Sequence, residues 1–432
     1  MDHPLACLSE MSPVERGKER MRYVARNMPV MAALRRRFLA ERPLAGLRVV
    51  FCSHLEAKTA HAATVLRDGG AEVMVCGANA LSTRDDIVAA LREEDGIEVL
   101  ARHGADPTEF RACLRAAIAW GPDLVADDGG ELIALLHADG GPDRGRRRPV
   151  LGACEQTTTG VERVRAIAAA RPDGALALPV VAVNECRSKH LFDNRYGTGE
   201  SVWTAIAATT NATLRGRTAV VVGYGHCGRG IAAQARGMGA RVIVTEIDPL
   251  KALEALMEGF AVMSLVEAAT HADYIVTATG TMGVFGSEAI DALKDGAFLC
   301  NAGHLDGEID AESLALKSTD SCGVRRVQRV AHNIDEYVLA ADGGESSSGT
   351  KSVYLIAGGS IVNLAAGNGH SAQIIDMTFA LQASALAYLA ANAAGMPRVL
   401  QRLPDALDRA VAMTALSASG ASIDRAGSQH TQ

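Results

Sequence analysis

A five-residue apolar run, Thr218–Val222 (TAVVV), leads into Gly223-Tyr224-Gly225-His226-Cys227-Gly228 and then into a helix-compatible run of small residues, Ile231–Gly237. Strand, glycine turn and helix in that order make the phosphate-binding corner of a dinucleotide-binding unit. The spacing alone is weak, because with 43 glycines in 432 residues about 0.4 such patterns arise by chance. Context decides. A second strand, Arg241–Thr245, brings Glu246 into place 23 residues after Gly223. Gly223 permits the tight turn, Gly225 lets backbone approach a pyrophosphate, and Gly228 lets the helix pack closely on the strand. The helix start offers unpaired N–H groups and a positive dipole end to the phosphates. Glu246 suits the adenosine ribose diol and repels a 2′-phosphate, so NAD is expected rather than NADP.

Around this corner, short apolar runs alternate with helical ones, which predicts an α/β fold of parallel layers. Leu47–Cys52, Ala71–Cys76 and Leu124–Ala126 read as strands, with Ala57–Asp68 as a helix between the first two. Asp127-Asp128-Gly129-Gly130 is a turn at a strand's carboxyl end, where ligands of such sheets bind. Asp273–Ala278 and Ala297–Asn301 continue the alternation, and residues 342–351 read as a hairpin loop or insertion. The last dozen residues are small and polar and are expected to fray.

The net charge of −7 and the short Arg runs at 35–37 and 144–148, without interleaved aromatics, exclude a nucleic-acid module. Nine scattered cysteines with no Cys-x-x-Cys pair argue against a disulfide framework and a structural zinc, and no metal is expected. The N-terminal segment carries early acidic residues and does not read as a secretory signal. No apolar run is read as reaching the roughly 18 residues of a membrane span. A soluble, cytoplasmic protein is expected.

The segment Val183–Glu200, VNECRSKHLFDNRYGTGE, taken with the glycine motif, resembles the S-adenosyl-L-homocysteine hydrolase family. Further short motifs follow in the family's order. They are Met28-Pro29, Arg42-Pro43-Leu44, Cys52-Ser53-His54, Asp127-Asp128-Gly129-Gly130, Thr157-Thr158-Thr159-Gly160-Val161, Asp193-Asn194, Glu246-Ile247-Asp248-Pro249, Asn301-Ala302-Gly303-His304 and Gly369-His370. The resemblance implies two doubly wound parallel-sheet domains around a cleft. Residues 1–197, completed by 370–395, would bind substrate; 198–369 would form the Rossmann NAD-binding domain; 396–432 would be a short C-terminal tail. It further implies a small-molecule nucleoside substrate, and a homo-oligomer, dimer or tetramer; no nucleic acid or membrane partner is expected.

The implied chemistry is redox-neutral. The ribose 3′-hydroxyl is oxidised at the expense of bound NAD, the ketone acidifies the C4′ proton, a base removes it, and the 5′ substituent leaves before the hydride returns. By resemblance, Lys189 and Asp193 serve the 3′-hydroxyl, and Asp128 lies near C4′ and the 5′ side. His54 and His304 surround the leaving group, and His370 helps close over the nucleoside. Thr157, Thr158, Thr159, Asn194, Thr279, Asn301 and Glu246 join Gly223, Gly225 and Gly228 as cofactor contacts. Asn184 and Asn194 support the lysine and the nicotinamide. His61 and His190 have no counterpart and are expected at the surface.

The chain departs from the family around the substrate. Glu56 stands where the family has Thr, and Lys58 where it has a Gln or Glu that contacts adenine. A lysine has only donors, so it cannot accept the adenine amino proton. Gln156 replaces a Glu at the ribose hydroxyls, Asn368 an apolar Met against the base, and Thr198 a Cys near the nicotinamide. The family's Lys- and Tyr-containing C-terminal tail is missing, so easier NAD exchange or a different subunit arrangement is expected. With the catalytic set retained, these changes predict a specialised nucleoside dehydratase or lyase acting on an adenine-type nucleoside, as in nucleoside-antibiotic assembly. The alternatives are ordinary S-adenosyl-L-homocysteine hydrolysis, a non-catalytic nucleotide-binding relative, and a plain 2-hydroxy-acid dehydrogenase.

Overall fold

A computed structural model of the chain describes residues 11–138, 149–319, 322–340 and 349–424. The chain forms two compact units, Met1–Lys189 with Ile375–Gln432, and His190–Ile374.

In the first unit, β1 (Arg48–Ser53), β2 (Glu72–Gly77), β3 (Ile97–Leu100), β4 (Leu124–Asp127), β5 (Gly152–Glu155) and β6 (Val180–Ala182) join strand Leu400–Arg402 in one parallel sheet. Across the sheet the order is Leu400–Arg402, β6, β5, β4, β1, β2, β3. The winding reverses between β1 and β4, so a crevice opens beyond their carboxyl ends. Helices cover the sheet, and its strands are accordingly buried along nearly their whole length. Val50, Met74, Val125 and Ala153 share a core with Leu132, Ile133 and Val164.

Helix Ala57–Asp68 matches its expected bounds, yet it is no surface helix. Residues 57–66 are all buried, because helices Pro13–Arg26 and Pro29–Glu41 pack over it. His61, expected at the surface, is only 6% exposed, and burial lowers its pKa to about 4.

Helix Ala372–Asn392 corrects a second expectation. By length and apolar composition it is sufficient to cross a membrane, but 67% of its most apolar window is buried inside the structure. Phe379 meets Phe51 edge-on at 5.8 Å, and Leu389 packs against Gly152 of β5, so this is a core helix. Its Asp376 accepts hydrogen bonds from the Val30 and Met31 amides, 2.7 Å each, and caps helix Pro29–Glu41.

Residues 396–432, expected as a tail, carry the edge strand Leu400–Arg402 and helix Asp405–Ala418. Leu403 and Val411 are buried, which ties the segment to the unit. Asp408 accepts from the Arg187 amide at 2.8 Å and the Ser188 amide at 3.1 Å.

The second unit holds β7 (Thr218–Val222), β8 (Arg241–Thr245), β9 (Ala261–Val262), β10 (Tyr274–Thr277), β11 (Phe298–Asn301), β12 (Val327–Ala331), β13 (Ile334–Ala340) and β14 (Thr350–Ile356). Their order is β12-β13-β14-β11-β10-β7-β8-β9, with the reversal between β7 and β10. This sheet is not wholly parallel, because β13 runs antiparallel to both β12 and β14. Two residues join β12 to β13, with Asn333 at φ 63°, and so short a turn can only return the chain antiparallel. Of the loop expected over 342–351, residues 342–348 lie outside the described residues and Thr350 opens β14.

Candidate active site

Within the first unit, the crevice between β1 and β4 gathers the polar residues. His54 follows β1, and Asp128 follows β4 on a turn where Gly129 and Gly130 take φ of 104° and 72°. The Asp128 carboxylate is 3% exposed and accepts from Ser53 Oγ at 3.0 Å and Gln156 Nε2 at 2.6 Å. His54 Nε2 lies 4.0 Å from Asp128 Oδ2. Its Nδ1 pairs with Ser82 Oγ at 2.7 Å. Gln156 Oε1 is buried with no partner among the described residues, which leaves an acceptor for a donor from a ligand.

Beneath this group, Asp127 and Glu155 sit side by side on paired strands, both fully buried. Asp127 accepts from the Asp128 and Ile133 amides. Glu155 Oε1 accepts from the Gly129 amide at 3.1 Å and from the amide and hydroxyl of Thr157 at 2.7 Å each. It therefore ties the Asp128 turn to the Thr157 turn. Burial, reinforced by the mutual repulsion of the carboxylates, pushes both pKa values up.

Lys58, near the start of helix Ala57–Asp68, is buried with its Nζ 2.9 Å from Glu56 Oε2. Glu56 also caps that helix by accepting from the Lys58 amide. Thr157 caps helix Thr158–Ala169 through the Gly160 amide, and Thr158 Oγ1 accepts from Asn184 Nδ2 at 3.1 Å. Thr159 lies on the helix's first turn. Lys189 is buried one residue beyond the two amides that Asp408 holds. His54, Asp128 and Gln156 are thus brought into one cluster within this unit, and Glu56 and Lys58 pair close to it in sequence.

In the second unit, the glycine corner forms as expected at the β7–β10 reversal. Gly223 has φ 97° with Ala278 and Thr279 packed against it. A Cβ on Gly228 would stand 1.9 Å from the Gly223 carbonyl oxygen, whereas one on Gly225 would meet open space. The helix begins at His226, five residues earlier than expected, despite the low helix propensity of glycine. Packing overrides propensity here, because only glycine at 230 lets the helix approach Arg195, whose carbonyl oxygen would be 1.7 Å from a Cβ. His190 is half-buried and stacks on His226 at 4.5 Å, so it too departs from the expected surface role.

Glu246, just past β8, accepts from the Tyr224 amide at 2.7 Å and from the Ile247 and Asp248 amides. Its Oε2, which accepts only one of these bonds, keeps lone-pair capacity for a ribose hydroxyl. Open space over Gly225 and a braced acid after the second strand fit an adenine dinucleotide. Thr279 donates through amide and hydroxyl to Glu308, 2.9 Å each, and burial raises the Glu308 pKa. The Asn301 side chain is used by the protein itself, donating to the carbonyls of Leu305 and Gly359 and accepting from the Gly303 amide. That bracing shapes the half-buried loop of His304. Buried Asp193 meets His370 Nδ1 at 3.4 Å, and His370 Nε2 lies 3.3 Å from Thr198 Oγ1. Asn194 is buried beside Asp193 in sequence, and Asn368 is exposed on the loop before His370.

Sequence reasoning missed Ser82, Glu155, Glu308, Asp376 and Asp408. Each acts on a residue that the chain brings near only on folding, except Glu155, whose position next to Gln156 was an available signal.

The fold and the glycine corner define an NAD-binding α/β enzyme. Residues 6–149 match the family model described as "S-adenosyl-L-homocysteine hydrolase", and residues 194–369 match its "NAD binding domain" model. The S-inosyl-L-homocysteine hydrolase of Methanosarcina mazei is 42% identical over 96% of this chain and 96% of its own. The adenosylhomocysteinase of Archaeoglobus fulgidus is 44% identical over 95% and 96%, and that of Thermotoga maritima 43% over 94% and 96%. The chain belongs to the S-adenosyl-L-homocysteine hydrolase family and is an NAD-dependent hydrolase.

Proposed function

We propose that this enzyme cleaves the thioether of an S-nucleosyl-L-homocysteine and that its preferred purine carries a 6-oxo group. Lys58 carries this reading. Its ammonium is buried and held by Glu56, and it offers only donors. A 6-oxo purine presents an acceptor to such a group, whereas a 6-amino purine sets a donor against it. Sites built on polar pairing discriminate strongly for that reason. Relatives named for S-inosyl-L-homocysteine agree with the reading, and relatives named adenosylhomocysteinase make the 6-amino purine the second candidate.

When bound, NAD supplies a reversible hydride acceptor for the ribose 3′-hydroxyl. Gly223, Gly225, Gly228, Glu246 and Thr279 would hold it, with Thr157, Thr158, Thr159 and Asn194 as further contacts. Lys189 and Asp193 take and hold the 3′-hydroxyl proton. Asp128, oriented by Ser53 and Gln156, serves the C4′ proton. His54 and His304 deliver a proton to the leaving sulfur and take one from the incoming water. Gln156 Oε1 accepts from a ribose hydroxyl, and His370 and Asn368 close over the nucleoside.

The test compares purified enzyme on S-inosyl- and S-adenosyl-L-homocysteine by thiol release. The 6-oxo substrate is expected to have the higher kcat/KM by about tenfold or more, and Lys58→Gln to narrow or invert that ratio. Equal ratios for both enzymes would remove Lys58 from the base pocket. Loss of water from a sugar-modified nucleoside without thiol release would instead restore the dehydratase reading. Self-association and a cytoplasmic location belong to the same proposal, and sedimentation of the NAD-loaded protein tests the first.

A further inference from the structure

The hydrogen bond between His54 and Ser82 fixes more than the orientation of a ring. Ser82 lies on the loop after β2 and is 1% exposed. Its hydroxyl has two partners, His54 Nδ1 at 2.7 Å and the main-chain carbonyl oxygen of Asn79 at 3.0 Å. A carbonyl oxygen only accepts, and a serine hydroxyl has one proton to give. Both contacts are satisfied in one way: the hydroxyl donates to Asn79, and His54 Nδ1–H donates to the hydroxyl oxygen. The reverse arrangement would set two lone pairs against each other at the Asn79 carbonyl.

The loop is built to hold this arrangement. Asn79 Oδ1 accepts from the Leu81 amide at 2.8 Å and the Ser82 amide at 3.3 Å. The Asn79 carbonyl also accepts from Thr83 Oγ1 at 3.2 Å. Two main-chain bonds of 2.9 Å, Ala78 amide to Ser53 and Arg84 amide to Leu55, clamp the loop to the segment that carries His54. Thr59 Oγ1 donates to the His54 carbonyl at 2.5 Å. The ring cannot turn away without giving up its bond to Ser82, and the serine cannot without giving up Asn79 as well.

We infer that Ser82 is a positioning residue that locks neutral His54 in its Nδ1–H form and makes Nε2, 4.0 Å from Asp128, the one nitrogen that trades protons with the substrate. Nε2 receives a proton with its lone pair and returns it as Nε2–H, while Nδ1–H stays bonded throughout. This division of labour between ring nitrogens is the usual way a second group sets a histidine's role. The role for His54 rests on the hydrolase mechanism proposed above; the tautomer does not.

Nitrogen-15 NMR of histidine-labelled, NAD-loaded enzyme reads the tautomer directly, with the His54 signals identified by their loss in His54→Asn. Nδ1–H is expected in the wild type at alkaline pH, with Nε2–H emerging in Ser82→Ala. Nε2–H in the wild type would overturn the inference and needs no variant to fold. In Ser82→Ala, thiol release is expected to slow by about tenfold or more with KM little changed. NAD reduction on adding nucleoside should persist. An unchanged kcat would also overturn the inference. Unchanged thiol release in His54→Asn would sink the mechanism and leave the tautomer standing.

Discussion

At the scale of single residues, the buried carboxyls Asp127 and Glu155 make stability depend on pH in a stated direction. Both have pKa values raised by burial, so the folded chain holds protons that the unfolded chain has released. Stability is then intact in acid and drains away as pH climbs through the folded values. His61, with its lowered pKa, acts in the opposite sense and only below about pH 6.5, the ordinary histidine value. The melting temperature is expected to fall between about pH 6.5 and about pH 8 in the wild type and to level off above that, and Glu155→Gln to flatten that fall. Calorimetry across that range checks it, and parallel slopes would contradict the shared burial. The sequence made Asp128, His54 and the glycines legible because motif spacing is local. It could not reveal Ser82 or Glu308, whose partners stand 28 and 29 positions away.

Among the elements, the glycine helix shows where local rules give way. β7, β8 and helix Ala57–Asp68 matched their expected bounds because apolar runs and flanking turns mark them clearly. The helix after β7 was read as starting at Ile231, since Gly228 and Gly230 weaken helical propensity. Its true start is set by contacts that admit no side chain. Gly228→Ala, with a Cβ 1.9 Å from the Gly223 oxygen, is expected to displace the corner and weaken NAD binding by about tenfold or more. Fluorescence titration checks this, and Gly225→Ala is the informative contrast. Its Cβ meets no atom of the described residues within 4 Å, so it should leave the fold's melting temperature unchanged while obstructing the dinucleotide. The antiparallel excursion of β13 escaped the reading because strand direction depends on connection length, which apolar periodicity does not report.

Over the whole chain, the two sheet reversals explain why the candidate site residues cluster as they do. His54 with Asp128, and Gly223 with Thr279, follow strands that neighbour one another across a change of winding, and each pair lies far apart in sequence. Cys52, Cys76, Cys154, Cys186 and Cys300 are buried thiols within the two cores. The helix that passes for a membrane span is a core element, a distinction that burial makes and composition cannot.

Helix Asp405–Ala418 is joined through the main chain to the lysine proposed to serve the 3′-hydroxyl, since Asp408 holds the two amides immediately ahead of Lys189. Asp408→Ala should therefore depress turnover by about tenfold while NAD affinity holds, a split that paired kinetics and titration would expose.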